Sequence, residues 1–306
     1  MQEKKTIKEI LNEGIKLLSS PSPSSIVEMP QLDASLLMGE VYKKRREELI
    51  LRENDIIDKN KETEFFSLIK RRRDGECIAY ILGKKEFRGL NFTVNPSVLV
   101  PRPDTEILVE AVLEHIDQIN DHSKKSSDSD RVSKLSLLDL CTGSGSVGIA
   151  IKKERPFLSV TASDISPDAL TVAGQNAAAL LAKVPREPEA IIHLIHSDLF
   201  ENITGKFDII VSNPPYIPAG DLAALPPEVQ KEPHLALDGG EDGLIVIKKI
   251  IREAPGFLVP KGRLFLEADP GQMPSIRHML LNKGFEDIKT HKDLADRDRV
   301  ISAKMQ

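Results

Sequence analysis

The stretch Leu135-Ser136-Leu137-Leu138-Asp139-Leu140-Cys141-Thr142-Gly143-Ser144-Gly145-Ser146-Val147-Gly148 passes from an apolar run into a glycine-rich turn. The run Leu135–Leu140 has the length of a buried strand and is too short for an ordinary helix. Gly143, Gly145 and Gly148 have the spacing Gly-x-Gly-x-x-Gly, which lets a strand turn sharply into a helix and brings backbone close to a ligand. Ser159–Ala162, Ile191–Ile195, Phe207–Ser212 and Arg263–Glu267 are further strand candidates, and Pro167–Leu181 and Leu244–Ala254 read as helices between them. Strands alternating with helices predict an α/β fold, a mostly parallel sheet covered on both faces.

The glycine spacing, with Asp164 ending the next strand, also fits a dinucleotide-binding oxidoreductase or a non-catalytic cofactor-binding protein. Asp139 favours a different ligand. A pyrophosphate needs backbone N–H groups and a positive helix end, and a carboxylate there repels it. S-adenosylmethionine carries an ammonium and a sulfonium instead, and a carboxylate favours both, acting directly or through water or the loop backbone. Asp164 is expected to accept hydrogen bonds from ribose hydroxyls. Asp198 follows the third strand and can accept the adenine amino group, with Leu199 or Phe200 packing on the ring.

Asn213-Pro214-Pro215-Tyr216 follows the fourth strand candidate, at the end where open α/β sheets bind ligands. The Asn213 side-chain oxygen and the Pro214 carbonyl can both accept hydrogen bonds from a planar –NH2. Proline fixes its backbone torsion and so presets that carbonyl. Tyr216 can stack on a flat substrate group. The tetrapeptide suits methyl transfer to an amide or amine nitrogen, and no strong base is needed before attack.

Outward from this region the chain changes character. Residues 1–82 read as helical, from Ile7, Ile10, Leu11, Leu17 and Leu18, through a Pro/Ser-rich break at Ser19–Ser25, to Phe65, Phe66, Leu68 and Ile69. Arg71-Arg72-Arg73 reads as a solvated helix end that complements the helix dipole. Residues 83–103 hold a hairpin with its turn near Gly89, and Asp104 is expected to cap a helix starting at Thr105. Residues 121–134 are polar and read as a surface loop. Of 306 residues, 42 are basic and 47 acidic, giving a net charge of −5, a balance that lowers the case for nucleic-acid binding. No run approaches the roughly 18 apolar residues of a membrane span, so a cytoplasmic protein is expected. Two distant cysteines, Cys77 and Cys141, form no disulfide framework, and no metal-ligand spacing is present.

Several stretches together resemble the bacterial peptide chain release factor N5-glutamine methyltransferases. They are Ala79-Tyr80-Ile81-Leu82-Gly83, Glu86-Phe87-Arg88-Gly89-Leu90, Val100-Pro101-Arg102-Pro103-Asp104-Thr105-Glu106, Asp139–Gly145, Ser212–Tyr216, and Glu232-Pro233 through Ala236-Leu237-Asp238-Gly239-Gly240-Glu241-Asp242-Gly243-Leu244. The tetrapeptide alone would also fit a nucleic-acid N-methyltransferase acting on adenine or guanine amino groups. The resemblance implies a helical N-terminal domain over 1–82 that docks the substrate, a β-hairpin linker over 83–103, and a Rossmann-like seven-stranded S-adenosylmethionine-dependent methyltransferase domain over 104–306 with one antiparallel strand. It implies cofactor contacts at Cys141, Thr142, Gly143, Ser144, Gly145, Asp164, Leu199 and Asn213, besides Asp139 and Asp198. Asn213, Pro214, Pro215 and Tyr216 would contact the glutamine amide of a release factor's Gly-Gly-Gln loop. Cys77 stands where relatives often have proline, and Leu199 where some have tryptophan.

Overall fold

The computed structural model describes residues 4–20, 27–125, 135–182 and 192–306. They divide into two compact units. Residues up to Lys84, joined by Ala224–Lys231, form one; Lys85–Ala223 and Glu232–Gln306 form the other.

The first unit is helical: α1 (Ile7–Ser19), α2 (Pro30–Tyr42), α3 (Arg46–Ile50), α4 (Lys59–Arg73) and α5 (Ile78–Leu82). Thr6 and Glu9 form a reciprocal capping box at the start of α1, satisfying N–H groups that a helix terminus leaves open. Ile7, Ile10, Leu37, Met38, Phe65 and Ile69 make its core. A Cβ on Gly14 of α1 would lie 2.6 Å from the Phe65 ring, so glycine is what lets α1 and α4 approach. The arginine run corrects the expectation of a solvated end. Arg72 is only 4% exposed; its guanidinium bonds Asp33 of α2 at 2.7 Å and Glu228 at 2.6 Å. Lys231 donates to the Asp74 carbonyl. A segment that follows the Asn-Pro-Pro-Tyr stretch in sequence is thereby tied into the helical unit. Burying a guanidinium requires partners, and these come from 39 residues upstream and from residue 228, which no local pattern reveals.

The second unit begins at Lys85, within the hairpin of β1 (Lys84–Phe87) and β2 (Leu90–Thr93). Arg88 (φ 48°) and Gly89 (φ 72°) are both left-handed, the geometry that matches a two-residue hairpin to strand twist. Phe87 and Phe92 meet edge to face and enter the sheet core. A short 3-10 turn, Pro103–Thr105, precedes α6 (Glu106–Lys125). Asp104 is not a cap: no side chain caps this turn, and Asp104 pairs with Arg299 at 3.0 Å. The expected loop over 121–134 is helical through Lys125, and 126–134 lie outside the described residues.

The strands and helices then alternate: β3 (Ser136–Leu140), α7 (Ser146–Glu154), β4 (Ser159–Asp164), α8 (Pro167–Leu180), β5 (His193–His196), β6 (Phe207–Ser212), α9 (Ile245–Phe257), β7 (Leu258–Glu267), α10 (Met273–Asn282), β8 (Phe285–Lys292) and β9 (Asp298–Met305). Seven of them form one sheet in the order β5-β4-β3-β6-β7-β9-β8. β9 runs antiparallel to both its neighbours and the other pairings are parallel. Alternate residues serve opposite faces, as the pleat requires. Leu137 and Ile209 pack in the core with α6 and α7, while Leu138 and Ile210 pack in the core with α9 and α10. Strand order reverses between β3 and β6, so their carboxyl ends open a crevice at the switch point.

Candidate active site

A cavity lies at those carboxyl ends, within the second unit. The β3–α7 turn supplies Cys141, Thr142, Gly143 and Ser144 to its wall; Asp139, Asp164, Asp198, Leu199, Asn213 and Pro215 also line it. The turn is held by backbone and carboxylates. Thr142 N–H donates to the Ser163 carbonyl (3.0 Å) and Gly145 N–H to the Thr142 carbonyl (2.8 Å). Gly143 and Gly145 have φ of 55° and 81°, where a Cβ is unfavourable. A Cβ on Gly145 would also lie 2.7 Å from Ile149, and one on Gly148 would lie 2.9 Å from the Asp139 carboxylate. Cys141 (φ 57°) and Leu199 (φ 49°) adopt the same left-handed region without being glycine. Such strain concentrates at ligand sites.

The carboxylates are partly engaged by the protein itself. Asp139 Oδ2 accepts from the Thr142 hydroxyl (2.6 Å) and from Gly148 N–H (3.0 Å). Burial pushes its carboxyl up to about 7, against the pull of those two donors. Asp164 accepts from Gly143 N–H (2.8 Å) and Ser166 N–H (2.9 Å), and burial raises its pKa as well. A carboxylate has about four acceptor sites, so Asp164 retains capacity for a ligand's hydroxyls. Burial likewise raises the Cys141 thiol, which keeps it protonated.

Not every expected residue is part of the cavity wall. Gly145 serves as the N-cap of α7, and Pro214 and Tyr216 are absent from the lining. The Tyr216 hydroxyl donates to Glu267 at 3.4 Å, and burial raises its pKa. Phe200 stacks on Phe257 with ring centroids 4.5 Å apart, so of the two candidates for the ring of a ligand only Leu199 lines the cavity. Asn213 is oriented from outside its own motif: its Nδ2 donates to the Thr105 hydroxyl at 3.1 Å.

Residues beyond the motifs complete the site. Thr105, Arg102, Val98, Leu235, Val246 and Lys249 line the cavity. Arg102 bonds Glu232 at 2.6 Å, and Glu232 also accepts from Val100 N–H at 3.0 Å, clamping the Val100–Pro103 stretch to the Glu232-Pro233 stretch. Ile217 pairs with Asp238, and Gly239 N–H donates to the Ile217 carbonyl at 2.8 Å. A Cβ on Gly243 would collide with the Tyr216 carbonyl oxygen, which accepts from Gln272 Nε2 at 2.9 Å. The Asp-Gly-Gly-Glu-Asp-Gly stretch therefore braces the backbone that follows Asn213. Asn176 of α8 is 1% exposed. It bonds both backbone groups of Thr93 and the carbonyl of Ser144, joining β2 to the glycine turn. Among the described residues no group of His, Cys, Asp or Glu is arranged to hold a metal ion, and no helix is long and apolar enough to cross a membrane.

Two family models match the chain: PrmC N-terminal domain over residues 9–83 and Methyltransferase small domain over 126–224. The release factor glutamine methyltransferase of Clostridium acetobutylicum is 37% identical over 301 residues, covering 97% of this chain and 98% of that one. That of Neisseria gonorrhoeae is 38% identical, covering 90% and 94%. The chain belongs to the release factor glutamine methyltransferase family. Among solved structures, the hMettl16 catalytic domain shares the fold at 12% identity, with a TM-score of 0.52 over 81% of this chain and 82% of that one. The cofactor is S-adenosylmethionine, and the cavity suits it. The β3–α7 turn carries no basic residue, and acidic side chains end β3 and β4 and follow β5. That setting favours a cation and ribose hydroxyls over a pyrophosphate.

Proposed function

We propose that this chain methylates the side-chain amide nitrogen of the glutamine in the Gly-Gly-Gln loop of a peptide chain release factor. The observation that carries the reading is Asn213 at the cavity wall with its amide nitrogen engaged by Thr105, which leaves Oδ1 for a substrate N–H. S-adenosylmethionine supplies the electrophilic methyl carbon. Asp164 would hold its ribose, Asp198 and Leu199 its adenine, and Asp139 with the Cys141–Gly145 backbone its methionine portion.

An amide nitrogen is a poor nucleophile because its lone pair is delocalised into the carbonyl. Asn213 Oδ1 and the Pro214 carbonyl would accept its two hydrogens, shift electron density toward nitrogen and aim its face at the methyl group. Alignment of this kind accounts for much of such a rate. Pro215 stiffens the turn, and Tyr216 fixes it through its carbonyl and hydroxyl contacts. Two glycines before the target glutamine let the loop thread into a narrow pocket. Methyl transfer to purified release factor, with the modified residue located by mass spectrometry, tests the reading; methylation of RNA or DNA in its place rejects it.

The same reading gives residues 1–82 the role of docking the protein substrate, with 83–103 as linker, and implies a cytoplasmic enzyme. Removing residues 1–83 should leave S-adenosylmethionine binding intact and abolish most activity on intact release factor, because remote contacts orient the reacting group. Unchanged methylation by the shortened chain excludes docking by this unit.

A further inference from the structure

Glu267 ends β7, at the same carboxyl end of the parallel strands that carries Asn213 after β6, yet it is 1% exposed and outside the cavity lining. Its Oε1 accepts from the Tyr216 hydroxyl at 3.4 Å, and the Thr105 hydroxyl is near enough to favour the ionised carboxylate. Oε2 has no hydrogen-bond partner among the described residues. A buried carboxylate with an open acceptor is costly, and the fold keeps this one beside the Asn-Pro-Pro-Tyr turn.

We propose, on the reading of the reaction given above, that Glu267 is a positioning residue: acting through Thr105, it decides which end of the Asn213 amide faces the substrate nitrogen. A hydroxyl has one proton. Thr105 accepts from Asn213 Nδ2, so its own proton is free to go to Glu267, which is acceptor-only when ionised. The chain of hydrogen bonds then runs one way, from Asn213 through Thr105 to Glu267, and Oδ1 is the end left for the substrate's N–H. A protonated Glu267 can donate to Thr105 and reverse the chain. Thr105 would then donate to Asn213 Oδ1, and the Asn213 amino group would meet the substrate's amino group, donor against donor.

Burial raises the Glu267 carboxyl to about 7, the Thr105 and Tyr216 hydroxyls and the Arg299 guanidinium lower it, and Asp104 raises it. Arg299 of β9 is itself shared with Asp104 and Asp293, at 3.0 and 3.4 Å. Because the acid form is the misorienting one, turnover falls as pH falls through this ionisation. Asp139 titrates in the same range, but it lines the cofactor turn and its effect belongs to S-adenosylmethionine affinity.

The test is the turnover number for release factor methylation, at saturating S-adenosylmethionine and release factor, across the neutral pH range. The wild type should lose turnover below about pH 7. Glu267→Gln, of the same shape and always neutral, should lower turnover on the order of 10–100-fold, the scale of a mispositioned reacting group. It should also lose the acid limb, with S-adenosylmethionine affinity by calorimetry and KM for the factor unchanged. Thr105→Val should lower turnover likewise, and Thr105→Ser, which restores the hydroxyl, should recover it. A folded Glu267→Gln enzyme with wild-type turnover or a persisting acid limb overturns the proposal, as does a fully active Thr105→Val. A wild type that leaves the release factor glutamine unmethylated overturns the functional reading instead, so the two failures are distinct.

Discussion

The glycine-rich turn after β3 and the Asn-Pro-Pro-Tyr turn after β6 sit at neighbouring strand ends and are built in opposite ways. The first is largely self-contained: Asp139 bonds Thr142 and Gly148 within ten residues, and Asp164 from the adjacent strand closes it. The second depends on distant chain. Thr105 orients Asn213, Glu267 receives the Tyr216 hydroxyl, Gln272 donates to the Tyr216 carbonyl, and Gly243 leaves room for that carbonyl. A cofactor common to many reactions needs a portable cradle. A substrate nitrogen that must be aimed needs a frame fixed from several sides, since small displacements of reacting groups cost large factors in rate.

The sharpest way to break this contrast is Asn213→Ala. Its Pro-Pro backbone stays braced, so turnover should fall about 10²–10³-fold, by analogy with loss of one oriented polar group in an active site. Melting temperature should barely move. Full activity in the folded variant would remove Asn213 from the reaction. Asp164→Ala acts on the other turn. Charge-assisted hydrogen bonds to ribose contribute about 1.5–3 kcal/mol, so calorimetry should show S-adenosylmethionine affinity weakened roughly 10- to 150-fold; unchanged affinity excludes the role.

Gly143→Ala and Gly243→Ala compare the two turns through stability. Both positions are left-handed, at φ 55° and 71°, which costs about 1–2 kcal/mol for alanine. At Gly143 the added carbon meets nothing within 4 Å, while at Gly243 it meets the Tyr216 carbonyl. Overpacking should add about 1–3 kcal/mol at Gly243. Equal losses in denaturant midpoints would show that the second turn is not framed by this contact.

The smallest expected effect is a pH slope. Burial raises the Asp139 carboxyl from its ordinary value of 3.8 to about 7 in the folded state, so between those values the folded state holds the proton that the unfolded chain releases. Its contribution is fully present below the unfolded pKa and is lost as pH rises through the folded one, at a slope of at most about 1.4 kcal/mol per pH unit. Denaturant midpoints should therefore decline less steeply with rising pH in Asp139→Asn than in the wild type. Glu267 and Asp164 shift the same way, so some slope remains. An unchanged slope would mean that Asp139 is not buried in its protonated form.

Legibility followed the range of the forces involved. Phe207–Ser212 is a strand with the bounds its apolar pattern predicts, and Pro167–Leu180 differs from the expected helix by one residue. Both are buried on one side or two and carry the period of their structure. Phe285–Lys292 carries Glu286, Asp287, Lys289 and Lys292 on a sheet edge. Charges protect an exposed edge from further pairing and at the same time erase the strand pattern. Arg72 misled for a related reason, because a basic residue at a helix end has a sufficient local explanation even when distant carboxylates bury it.

By itself the sequence determined the alternating α/β order, the glycine turn and the acidic strand ends, along with the tetrapeptide that faces the cavity through Asn213 and Pro215. These are short-range choices, where a glycine torsion, a proline ring or an apolar period acts within a few residues. The tertiary structure alone decided that Thr105 turns the Asn213 amide, that Glu267 lies behind both, that Glu232 clamps Arg102, and that Asn176 joins the hairpin to the cofactor turn. Each of these is a buried polar group. Burial obliges such a group to find a partner, but only the completed packing of strands and helices fixes which one lies within reach.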